Sequence, residues 1–230
     1  MKQVHYRNGS AIGRIGFGAC IALLLIVGSG CAVTPPRVDP YSTLLPAGRT
    51  VTDGTTSFSA ASLKNETAYL VVGANFVTYA DIWGQFQKSA EQSFNLVYSR
   101  EFLLNGMAQW SPTKTTSLVT DNLKKHFRNI VVVNDLAEAR AKNAKWVVMF
   151  DHAYVQASTA TATWTNTTSI DLLDNKFRRV VAAMSSEHKS YGGAWSAGDN
   201  QRFMVYRGED VLRTVKAALV DFDTKLAAAR

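Results

Sequence analysis

Groups able to make or break bonds are few and scattered in these 230 residues. Asp151 and His152 have the residue types of an acid–base pair. They are consecutive in an apolar, strand-like stretch, and consecutive strand residues point to opposite faces. The spacing therefore predicts two separate side chains rather than one dyad. His5, His126, His152 and His188 lie far apart, and the two cysteines are Cys20 and Cys31. With no G-x-S-x-G elbow, Walker loop or H-E-x-x-H pair, the sequence predicts no catalytic residue, no metal site and no cofactor. One basic cluster stands out: Lys124, Lys125, His126 and Arg128 close a predicted helix. Cations there complement the helix dipole. The same charges could engage anionic lipid or cell-wall carboxylates, which makes Lys124, Lys125 and Arg128 candidate anion-binding residues.

The thiol chemistry depends on its surroundings. Ile15 to Cys31 reads IGFGACIALLLIVGSGC, preceded by Lys2, His5, Arg7 and Arg14, with no acidic residue before Asp39. A basic start, an apolar run of about a dozen residues and a small-residue end are the features of a secretory signal. Gly28-Ser29-Gly30-Cys31 resembles the lipobox of bacterial lipoproteins, departing at Gly28, where that family prefers Leu or Val. The resemblance implies cleavage before Cys31 and acylation of its thiol and new amine. Rival readings fit less well. A permanent span needs roughly 20 apolar residues, and Gly16, Gly18, Gly28 and Gly30 shorten this run. A cleaved signal without lipid would leave Cys31 an odd thiol. Two or more acyl chains anchor stably where one does not, so the chain is expected on a membrane through Cys31, its folded part in the periplasm. In many lipoproteins Asp after the cysteine marks inner-membrane retention; Ala32 stands there, which implies the outer membrane.

The elements follow from this division: signal 1–30, an acylated flexible tether 31–66 and an α/β domain 67–230. Of 25 basic and 18 acidic residues, Lys2, Arg7 and Arg14 fall in the signal, so the mature excess is only +4. Together with the compartment, this argues against nucleic acid as partner. No disulfide can form once Cys20 is removed and Cys31 acylated, so core packing must stabilise the domain. Pro35, Pro36, Pro40 and Pro46 deny the tether a helix or central strand, although Leu44 and Leu45 could dock.

In the domain, Tyr69–Val77 is predicted as a strand and Asp81 to Ser99 as a helix, with Phe102 to Met107 either extending it or forming a turn. Its aromatic stripe reads as core packing rather than a ligand box. Ser111-Pro112-Thr113 starts a helix running to Phe127. Ile130–Val133 and Trp146–Val155 are predicted as central strands, with Trp146, Val148, Phe150, His152 and Tyr154 on one face. A short helix, Leu136 to Lys142, separates them behind Asp135. Ser158 to Trp164 and Ser169 to Leu173 read as strand, Asp174-Asn175 as a turn and Phe177 to Ser185 as its hairpin partner. Tyr191 to Gly198 is a glycine-rich loop whose Tyr191 and Trp195 are candidate partner-binding residues. Glu209 to Ala229 is the final helix. The fold class is α/β (α+β), one mixed sheet of about five strands in β-α-β-α-β-β-β-α order.

Leu118 to Val155, with its helix, "VV" strand, alanine-rich helix and second "VV" strand, resembles a periplasmic family pattern, as does the hairpin Ile170 to Ala183. That family groups Tol-protein amino-terminal domains, curli-secretion lipoproteins and lipoprotein activators of penicillin-binding proteins. Here Lys176 or Phe177 replaces the family's hairpin glycine, and Asp81 to Met107 looks like an insertion. The resemblance implies a non-enzymatic adaptor or assembly role towards an envelope protein or the cell wall. The alternatives are a periplasmic hydrolase acting on an envelope polymer, with a site assembled from dispersed residues, and a lipid carrier with a long apolar cavity.

Overall fold

A computed structural model describes residues 37–42, 44–45, 51–55, 57–92, 99–158, 163–190 and 197–229. Five strands form one mixed sheet: β1 (Thr67–Val72), β2 (Asn129–Val132), β3 (Trp146–Ser158), β4 (Thr163–Leu173) and β5 (Arg179–Ser190). Their order is β2-β1-β3-β4-β5, with β1 parallel to both neighbours and β3, β4 and β5 antiparallel in turn. The helices are α1 (Ala60–Leu63), α2 (Ala74–Gln92), α3 (Arg100–Ala108), α4 (Pro112–Leu123), α5 (Leu136–Ala141) and α6 (Ala197–Ala228).

Strand β3 has the two faces its alternation predicts. Trp146, Val148, Phe150 and Tyr154 join the main core with Phe76, Tyr79, Trp110, Leu123, Val215 and Phe222 from the helices. Val147 and Met149 join a smaller cluster with Leu136, Ala139 and Phe177 on the opposite face. That second cluster also holds Tyr41, Leu44, Leu45 and Val51. The described part of the stretch expected as a flexible tether is thus packed on the sheet: Tyr41 is buried, and Leu63 of α1 is fully enclosed.

Local capping sets most helix starts. Ser99, Ser111 and Asp135 each accept the backbone N–H three residues on, opening α3, α4 and α5. Ser111 and Pro112 start α4 where the sequence placed it, and α2 and α3 are separate helices.

Four expectations are corrected. The predicted strand Tyr69–Val77 ends at Val72, and Asn75, Phe76 and Val77 are already helical; a carboxylate from β3 caps them, as described below. Strand β2 is an edge rather than a central member, with Val132 57 % exposed. Ser158 to Trp164 is not one strand: Ser158 ends β3 and pairs with Thr163, which opens β4. Helix α6 begins at Ala197 rather than Glu209. In the β4–β5 hairpin, Phe177 takes φ 57°, the left-handed conformation that favours glycine.

The outer edge of β5 is occupied in two places. Asp221 Oδ2 on α6 accepts the Met184 N–H at 3.1 Å, and Lys225 Nζ donates to the Ala182 carbonyl at 2.8 Å. Thr52 and Gly54 bond the backbone of Arg179. These contacts take up backbone groups through which an open edge strand would pair with another chain.

Candidate functional site

Strand alternation sends Asp151 and His152 to opposite faces. His152 is buried in the main core, its Nδ1 2.9 Å from Thr168 Oγ1 and its ring edge-on to Tyr79 at 5.2 Å. Asp151, 2 % exposed, faces the other way. Its Oδ1 accepts the Phe76 N–H at 2.9 Å and its Oδ2 accepts Asn75 Nδ2 at 2.7 Å. A carboxylate is therefore placed at the N-terminus of α2, where the helix dipole favours it. Gly73 makes room: a Cβ there would meet Asp151 Oδ1 at 2.5 Å. Asn75 then holds the N-terminal segment, donating to the Val38 carbonyl at 2.9 Å and accepting the Val38 N–H at 2.8 Å. Ala74 N–H donates to the Pro40 carbonyl at 3.1 Å.

A second buried carboxylate completes the arrangement. Asp171 on β4 stands opposite Met149 in the β3–β4 register, on the same face as Asp151. Its Oδ2 accepts the Tyr41 hydroxyl at 2.6 Å, and Arg179 Nη1 lies 3.9 Å away. Arg179 also donates to Asp53 Oδ1 at 2.7 Å. Burial pushes both aspartates above the usual carboxylate range; their hydrogen bonds, to Asn75 and the Phe76 N–H for Asp151 and to Tyr41 for Asp171, work against it. Burial, and then the charge of Asp171, push the Tyr41 hydroxyl far above its ordinary value. The Arg179 hydrogen bond holds exposed Asp53 below the carboxylate range.

These groups form a polar latch: of two buried carboxylates on one sheet face, Asp171 binds Tyr41 directly and Asp151 holds Asn75, which binds Val38. Asp151 was visible in the sequence as a carboxylate inside an apolar strand. Tyr41, Asn75 and Asp171 carried no such signal as a set, because they meet only through the fold.

The predicted anion-binding residues are all exposed. Lys124 pairs with Asp121 at 2.9 Å, and the Arg128 N–H donates to the Glu66 carbonyl at 2.9 Å. Lys124 lines an open groove of about 510 Å³ between α4 and Val132, with Thr113, Thr116, Thr120 and Asp121. Lys125 and Arg128 do not line it. Between them, His126 Nε2 meets Asp223 Oδ1 at 2.7 Å. Cys31, Tyr191 and Trp195 lie outside the described residues. Among the described residues no His, Cys, Asp and Glu cluster could hold a metal ion, and no helix is long and apolar enough to cross a membrane.

No family model matches the chain, and no curated protein matches it. Solved structures give remote likenesses. A PelC dodecamer from Paraburkholderia phytofirmans aligns at TM-score 0.31 and 11% identity over 71% of this chain and 94% of that one. The hypothetical protein CT253 from Chlamydia trachomatis aligns at TM-score 0.34 and 8% identity, covering 72% and 99%. Lipoprotein GNA1162 from Neisseria meningitidis aligns at TM-score 0.22 and 12% identity, covering 64% and 99%.

Proposed function

We propose that this chain is a lipoprotein anchored through acyl chains on Cys31, with its domain in the periplasm, acting without catalysis as an envelope adaptor or assembly factor. The outer membrane is the proposed location. One observation supports this reading above others. Three of the buried groups with acid–base character, Asp171 and Tyr41 directly and Asp151 through Asn75, are engaged in holding residues that begin six positions after Cys31. Their hydrogen bonds tie the end of the anchor to the folded domain. Partner contacts are assigned to Tyr191 and Trp195, and anion contacts to Lys124, Lys125 and Arg128. An envelope protein or the cell wall is the partner.

A periplasmic hydrolase on an envelope polymer is the second reading, favoured by the two protonation-prone carboxylates on one sheet face. It requires residues 37–45 to leave that face. Crosslinking in intact cells, run beside a polymer-hydrolysis assay of purified chain, separates the two. Adaptor function predicts a defined crosslinked envelope component that Asp171→Asn leaves unchanged. Polymer hydrolysis that Asp171→Asn abolishes would contradict it.

A further inference from the structure

We propose that the outer edge of β2 pairs with the same edge of a second copy of this chain, antiparallel about a two-fold axis, joining the two sheets into one. The fold treats the two ends of the sheet differently. At β5, backbone groups on the outer edge are taken up by Asp221, Lys225, Thr52 and Gly54. At β2, among the described residues, nothing bonds to the outer side. The Val133 N–H donates inward to the Leu70 carbonyl at 3.0 Å. Alternate residues of a strand turn their backbone groups to opposite sides, so the N–H and C=O of Ile130 and Val132 point away from β1. Asn129–Val132 reads NIVV and carries none of the charges or prolines that blunt an edge. Val132 is 57 % exposed. It borders the groove beside α4, where the short side chains of Thr113, Thr116 and Thr120 leave room for those of an added strand.

Charge selects the occupant and its direction. Near the start of β2, Asp121, Glu66 and Asp223 are paired with Lys124, Lys145 and His126. Exposed Lys125 and Arg128 have no acidic partner there among the described residues. Past the end of β2, Glu138 is paired with Lys142, and Asp135 has no basic partner among the described residues. The strand thus runs from unpaired positive to unpaired negative charge. An antiparallel second copy sets each end against its opposite, whereas a parallel one would set like charges together. The outward groups fix the register: Ile130 faces Val132 of the second copy, and each pair exchanges both backbone hydrogen bonds. Val131 then lies on the axis. Arg128 stands opposite Asn134 of the second copy, beside its Asp135, and the contact is made twice, as two-fold symmetry requires.

Cysteine crosslinking of the purified full-length chain tests this. On the axis, Val131 meets itself as a non-hydrogen-bonded pair with Cα atoms about 4.5 Å apart, within the span of a disulfide. Val131→Cys and, for comparison, Met184→Cys on the exposed face of β5 are oxidised with copper–phenanthroline beside wild type, whose own cysteines are Cys20 and Cys31. The expected result is a covalent dimer of Val131→Cys in which two copies of the tryptic peptide 129–140 are joined, with no such link through position 184. Two further substitutions are placed in Val131→Cys. Arg128→Glu changes an exposed side chain and should slow the crosslink roughly tenfold. Val132→Pro removes an outward N–H at an edge, where proline is tolerated, and should abolish it. Absence of the 131–131 link, equal linking through position 184, or a link that neither further substitution slows overturns the pairing.

Discussion

Asn75 joins three parts of the molecule with one amide: the backbone of Val38, the carboxylate of Asp151 and the first turn of α2. Asn75→Ala would leave buried acceptors unmatched, a loss of about 2 kcal/mol. Urea unfolding should show this loss, and limited proteolysis should newly cut between residues 37 and 45. Tyr41→Phe should cost a similar amount by stranding Asp171, whereas Asp171→Asn keeps an acceptor for the Tyr41 hydroxyl. The pH dependence follows from the same burial. Folded Asp151 and Asp171 hold protons more tightly than in the unfolded chain, so the native state binds more protons and stability falls as pH rises. Their contribution is fully present below the ordinary carboxylate value of about 4 and is lost as pH rises through the raised folded values. Asp53 and Asp221, both lowered by hydrogen bonds to basic partners, act with the opposite sign and lose their contribution as pH falls. Unfolding midpoints taken between about pH 4.5 and 8 should therefore fall less with rising pH in Asp171→Asn than in wild type.

At the scale of elements, two glycines give a paired prediction. Gly208 lies in α6 against Trp110, where a Cβ would sit 1.8 Å from the indole Cδ1. Gly208→Ala should cost about 1–3 kcal/mol by overpacking. Gly84 in α2 has open space around its Cβ position, and Gly84→Ala should stabilise by roughly 0.5–1 kcal/mol. Thermal melts of the two variants should move in opposite directions. Elements whose signal is local were legible in the sequence. The Ser111-Pro112 start of α4 and the two-faced alternation of β3 both have their cause within a few residues. The misread elements have distant causes. Asn75 to Val77 look like strand until Asp151, 75 residues away from Phe76, accepts its N–H. Strand β2 is as apolar as a central strand, yet nothing in its four residues states that it lies at the edge of the described sheet. Ser158 and Thr163 belong to two antiparallel strands, and the Thr–Ala alternation gives no sign of where one ends. The latch was legible only in part. Asp151 demanded a polar partner, but Tyr41 and Asp171 are separated by 130 positions and meet through the fold alone.

Among the described residues the molecule is a mixed sheet with helices on both faces, and Tyr41, Leu44 and Leu45 are part of that packing. The smaller core cluster is closed by Tyr41, Leu44 and Leu45 together with α5 residues, so these residues and the sheet should unfold together. Hydrogen exchange should show the Val38 amide protected to an extent comparable with the β1 amides, and Asn75→Ala should remove that protection while β1 keeps its own. This coupling matters because the reading of function depends on an anchor at Cys31 whose end is bound to the folded domain. The most direct measurement is the intact mass and N-terminal peptide of mature protein purified from membranes, compared with Cys31→Ser. The account predicts a chain beginning at an acylated Cys31, and a Cys31→Ser protein that loses both acyl mass and membrane retention. A mature chain with an unmodified Cys31 thiol, or a Cys31→Ser protein still held on the membrane with its lipid label, would contradict it.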